Sequence, residues 1–186
     1  MRHEQLASTS TATIPATPLW RGLDYGPGIV VLAPRDGEPE VPQAWQPLEQ
    51  RYQLAWCAVP DEVELLHRVE DVLETLADRN TRTQVVAHAA LVDVAVRLVA
   101  EFPGTVRGLV LVGSGPEPGP TGVPVRRVAA GAADLSDAAV VREVRRALEA
   151  GDDVEPAHLR LNVPFARSGA ASALTGPYGP STAVRG

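Results

Sequence analysis

Residues 84–115 read QVVAHAALVDVAVRLVAEFPGTVRGLVLVGSG. A β-branched apolar run, TQVVAHA, is followed by ALVDVAVRLVAEFP, whose apolar residues recur at helical spacing until Pro103 stops them. VRGLVLVGSG then returns to a continuous apolar run ended by glycines. A strand, a helix and a second strand in this order imply a right-handed crossover between parallel neighbours, with both strands buried on two faces. This stretch decides the fold class.

The same alternation extends outward. GIVVLAP (28–34) is a buried strand and YQLAWCAVP (52–60) a second. In 61–78, Val63, Leu66, Val69, Val72, Leu73 and Leu76 mark a helix with acids in its first turn. Downstream, VPVRRVAAG (123–131) is a weaker strand. The amphipathic SDAAVVREVRRALEAG (136–151) follows, with Ser136 as expected cap and Gly151 at its end. HLRLNVPFA (158–166) offers a last strand. The expected fold is three-layer α/β/α around a mostly parallel sheet. Residues 1–18 are read as a flexible arm, 19–166 as the domain, and 167–186, rich in Gly, Ser, Ala and Pro, as a flexible tail. Ligands of such sheets sit outside the carboxyl ends of the strands, which places the functional edge at 33–36, 59–61, 87–91, 113–117 and 131–134.

Composition narrows the function classes. The chain has 186 residues, 45% hydrophobic and 22% charged, the balance of an ordinary globular domain. A net charge of −6 argues against a nucleic-acid partner. All 17 basic residues are arginine. Cys57 is the single cysteine, so no internal disulfide forms, and we read it as a small buried hydrophobe rather than a nucleophile. No apolar run reaches 18 residues and the first 18 contain no export-type apolar core, so a cytoplasmic location is expected. Four scattered histidines lack metal-ligand spacing, and VGSGPEPGP runs into prolines instead of a phosphate-cradling helix, so neither metal nor cofactor is expected. Trp45, Trp56 and Trp20 are assigned to the core or to a binding shelf.

From about Trp20 to Ala166 the chain resembles the α/β-hydrolase family. VVAHAALVDVAVRLVAEFPGTVRGLVLVGSG is similar to the family's unit of strand, nucleophile elbow, helix and strand, usually V-G-H-S-x-G-G followed by an apolar helix, F-P and a strand ending G-S. GIVVLAPRDGEPEVPQAWQPLEQRYQLAWCAVP is similar to the strand with the oxyanion loop, the W-x-P-L helix and the next strand.

The departures carry the functional reading. At the elbow stand Ala87-His88-Ala89-Ala90-Leu91, so the serine is absent, and so are both glycines. The oxyanion loop's His-Gly is Ala33-Pro34. Asp134, in GAAD, occupies the place of the family's acid, but the last histidine, His158, precedes the final strand where the family's would follow it. The family's lid is replaced by SGPEPGPTG (114–122), so the resemblance is to a truncated, lidless member. This implies an open shelf suited to a large substrate, and apolar surface that a homodimer would cover. What the resemblance leaves for chemistry is the backbone amides of Ala90 and Arg35 as oxyanion donors, His88, Asp134, and Ala89 as an elbow position without a nucleophile. His88 is read as structural and Asp93 as a surface position.

A serine hydrolase is thereby excluded, and two functions follow. One is acyl transfer from a carrier-protein thioester to a thiol or other nucleophile of a large acceptor such as a peptide, in specialised metabolism of the antibiotic-producing kind. There, proximity and oxyanion stabilisation would supply the rate. The other is a non-catalytic scaffold or binding subunit. Hydrolysis by water activated at Asp134 or His88 ranks last.

Overall fold

The computed structural model describes residues 17–35, 40–59, 66–79, 81–129, 131 and 133–152. The expected last strand with His158, the tail, the start of the helix at 61–65 and nearly all of the arm lie outside the described residues.

Six strands form one sheet: β1 (Leu19–Gly22), β2 (Gly28–Pro34), β3 (Gln53–Val59), β4 (Thr83–His88), β5 (Val106–Val112) and β6 (Val125–Val128). Their order is β1-β3-β2-β4-β5-β6, parallel throughout except for β1, which runs antiparallel to β3. The helices are α1 (Gln46–Glu49), α2 (His67–Asp78), α3 (Val92–Glu101) and α4 (Ala138–Asp152). The mostly parallel three-layer fold is the one the sequence implies. β1 is an addition that the sequence reading missed, because four residues of LWRG show no alternation.

The central runs of β2 (Ile29–Ala33), β4 (Val85–Ala87) and β5 (Gly108–Val112) are buried without interruption because both faces are covered. On one face Val30, Leu32, Val85 and Leu111 meet Leu73 and Leu76 of α2 and Leu98 and Val99 of α3. On the other, Ile29, Val31, Val86 and Val110 meet Trp45 and Leu48 at α1 and Val144 and Leu148 of α4. Trp45 is fully buried, stacks edge-on against Trp56 at 5.4 Å and donates its Nε1–H to the Leu135 carbonyl at 2.8 Å. Trp45 and Trp56 are therefore core residues, whereas Trp20 is 38% exposed at the sheet edge.

α4 begins and ends differently from the sequence reading. Asp137 is its cap, its carboxylate accepting the Ala139 N–H at 2.7 Å, because Ser136 is drawn back to Asp134. Gly151 lies within the last turn, where a side chain would press on the Gln84 carboxamide. The orphan carbonyls of that end are met by Arg126, which donates to Ala147 and Ala150. Among the described residues no helix is long and apolar enough to cross a membrane.

One polar group stands out from this well-satisfied interior. Gln53, 5% exposed at the start of β3, has its Oε1 buried with no hydrogen-bond partner. An unpaired buried acceptor costs about 1–3 kcal/mol.

Candidate functional site

The chain passes from β2 to β3 on one side and crosses back over β2 to β4 on the other, so the strand order reverses between β2 and β4. Open sheets of this kind place their crevice at the carboxyl ends of the two strands flanking the reversal. Arg35, half-buried, follows β2 there, and His88 ends β4. Residues 36–39 of the intervening loop lie outside the described residues.

At the end of β4 the chain leaves extended geometry at His88 (φ −60°, ψ 139°) and enters a 3-10 turn, Ala89–Leu91, that runs into α3. A strained elbow would hold its tip residue at positive φ. Among the described non-glycine residues, only Ala129 has one. With no nucleophile to present, the turn takes a relaxed path.

The groups expected to do chemistry are otherwise employed. The Ala90 N–H donates to His88 Nδ1 at 3.2 Å, so His88 acts as the cap of the turn. The amide expected as an oxyanion donor is thus engaged within the turn in this structure. Ala89 is 1% exposed. A side chain at Gly115 would lie 3.0 Å from Ala89 Cβ and one at Gly113 3.7 Å away, so the loop after β5 lies directly over the elbow. Arg127 pins that loop, donating to the carbonyls of Gly113 at 3.0 Å and Pro116 at 2.7 Å. The open shelf expected there is closed at residue 89 by the loop after β5.

Asp134 is exposed and accepts the Ser136 N–H at 2.7 Å. Hydrogen bonds from the Ser136 backbone and hydroxyl hold its carboxyl below the usual carboxylate range, and the charge of His88 adds to the effect. The fold thus brings His88 and Asp134 into one electrostatic neighbourhood, from strands that are not adjacent. Both are tied to local backbone. Asp93 is exposed on α3, as read from the sequence. Among the described residues no group of three or more His, Cys, Asp or Glu is placed to hold a metal ion.

Cys57 is buried within β3, and burial pushes its thiol from 9.0 up to about 12. The thiolate needed for nucleophilic chemistry is absent at neutral pH. A raised acid in the folded state contributes stability below its unfolded value and loses it as pH rises toward the folded one. Between pH 9 and 12 the folding constant should therefore fall about tenfold per pH unit relative to the Cys57→Ala variant. Urea midpoints of the two proteins against pH check this, and parallel curves would contradict it. Iodoacetamide should alkylate Cys57 only after denaturation.

No family model matches the chain, and no curated protein matches it significantly. Solved structures that resemble it include a thioesterase domain that cyclises the lipopeptide antibiotic surfactin, at 18% identity and a TM-score of 0.41 over 53% of this chain and 44% of that one. Another is an esterase from a marine microorganism, at 13% identity and a TM-score of 0.35 over 77% of this chain and 54% of that one. The chain spans about half the length of each.

Proposed function

We propose that this chain is a non-catalytic binding protein built on a hydrolase-like sheet, its elbow kept as a structural turn. The observation that carries the reading is the double closure at the elbow: Ala89 is covered by the Gly113–Gly115 loop, and the Ala90 amide is occupied by His88. Removing one oxyanion donor from a working site costs about 2.7–4 kcal/mol of transition-state stabilisation. Here the donor is engaged before any substrate arrives.

Restoring the hydroxyl should not restore the chemistry. The Ala89→Ser protein is expected to gain no adduct with a fluorophosphonate, because the position is buried and His88 Nδ1 is held by the Ala90 N–H. Intact mass spectrometry checks this, and a stoichiometric adduct on Ala89→Ser would sink the reading.

A second reading keeps catalysis without a serine: transfer of an acyl group from a carrier-protein thioester to the thiol of a peptide or other large acceptor. The neighbourhood of His88 and Asp134 at the carboxyl edge favours it, since it offers fixed polarity beside a bound thioester. The acceptor would arrive as thiolate, attack the thioester carbonyl and release the carrier's thiolate. Discontinuous assays with a carrier-bound thioester and an acceptor thiol distinguish the two. No rate above background fits a binding protein; transfer that depends on this chain fits the second reading. Under either, a homodimer would cover apolar surface near the shelf, and sedimentation tests it.

A further inference from the structure

The amino ends of the strands, opposite the elbow, hold a cleft of about 520 Å³ between β1, the 22–25 loop, the start of β3 and the end of α2. Its volume falls in the range of small-molecule sites, about 300–1,000 Å³. The usual ligand crevice of a parallel sheet lies at the other end. This cleft exists because β1 runs antiparallel and its return loop stands off the sheet.

Three independent features converge on it. The exposed large apolar residues among the described ones, Trp20, Leu23 and Tyr25 (83% exposed), all line this cleft. Gln53 lines it too, more than nine-tenths buried, and its Oε1 is the buried acceptor without a partner. Arg21 and Arg79 line it as well, two guanidinium groups to the single carboxylate of Asp24. The backbone is pre-formed: Leu23 N–H donates to Tyr52 at 3.1 Å and Gln53 N–H to Pro27 at 3.0 Å, fixing both ends of the loop. Little ordering is left for a ligand to impose.

We propose that this cleft binds a small organic anion with an aromatic body and an O–H or N–H donor. The guanidinium groups match a carboxylate by charge and by their planar fork. Trp20 and Tyr25 offer ring faces to an aromatic body. The donor meets the carboxamide of Gln53, whose terminal torsion is soft enough to turn Oε1 toward the cleft. The inference does not depend on the elbow being silent, because it uses none of the same residues.

Three matched probes test it: 4-hydroxyphenylacetate, phenylacetate without the hydroxyl, and tyramine with an ammonium in place of the carboxylate. Titration of the whole chain, followed by Trp fluorescence and ligand-observed NMR, should show saturable binding of 4-hydroxyphenylacetate with a Kd of about 1 mM or tighter. Phenylacetate should bind about tenfold weaker, and tyramine weaker by at least as much. Arg79→Gln, an exposed substitution, should weaken the acid about tenfold. In Gln53→Leu, which removes the unpaired acceptor and should stay folded, the gap between 4-hydroxyphenylacetate and phenylacetate should vanish. A Kd above about 10 mM for 4-hydroxyphenylacetate, equal binding of tyramine, no effect of Arg79→Gln, or a gap that persists in Gln53→Leu would each overturn the proposal. Labelling at the elbow or acyl transfer would overturn the function proposed above and leave this one standing.

Discussion

Replacing Trp45 by alanine should destabilise the protein by about 3–5 kcal/mol, the range for truncating a fully buried large aromatic residue. The ring has no exposed surface, and its edge-on contact with Trp56 is lost with it. The indole N–H also holds the Leu135 carbonyl at 2.8 Å, which fixes the chain just before α4. Trp45→Phe separates the two parts: it keeps most of the ring but leaves that carbonyl unpaired, so a smaller loss of about 1–3 kcal/mol is expected. Against a total stability of about 5–15 kcal/mol, the alanine variant should be depleted in the soluble fraction. Urea unfolding measures both. A loss below about 1.5 kcal/mol for Trp45→Ala would mean that the layer between α1 and α4 repacks, against the close packing inferred here.

Gly22→Ala should cost about 3 kcal/mol or more. An added Cβ would lie 2.2 Å from the Tyr52 carbonyl oxygen and 2.7 Å from that of Glu49. Both obstacles are backbone, so neither can swing aside as a flexible side chain would. The residue also sits at φ +84°, where a side chain adds strain of about 1–2 kcal/mol. Gly119→Ala is the control, since nothing lies within 4 Å of that position, and it should fall within about 0.5 kcal/mol of wild type. Thermal melts compare the two. Equal melting temperatures would show that the approach of β1 to the end of α1 is loose. Because Gly22 also lines the cleft at the amino ends, the same variant should weaken binding there, while Gly119→Ala should not.

Much of the site could be read before the fold was known, though not its state. The run around His88 marks the end of a strand and the start of a helix, and the missing serine is visible at Ala89. The capping of the turn by His88 could not be seen, because a histidine two residues before an amide has no distinctive spacing. Nor could the covering of Ala89 by Gly113 and Gly115, whose glycines read as an ordinary strand end. For the second cleft a trace existed: WRGLDYGPG (20–28) scatters large apolar residues among glycines with no period of strand or helix. The partner residues Gln53 and Arg79 come from distant segments and gave no signal.

By itself the sequence determined the strands β2 to β6 and the helices α2, α3 and α4, that the sheet is mostly parallel, and that Ala89 stands where a serine was looked for. Periodicity, helix-stopping prolines and residue identity are properties of neighbours along the chain, and they survive without three-dimensional context. Tertiary structure alone decided that β1 joins the sheet antiparallel, that the loop after β5 covers Ala89, and that Gln53, with an unpaired acceptor, lines one cleft with two arginines. Each of those depends on which atoms meet across dozens of residues of chain. Backbone approach through glycine and the balance of buried donors and acceptors are set only when the layers close.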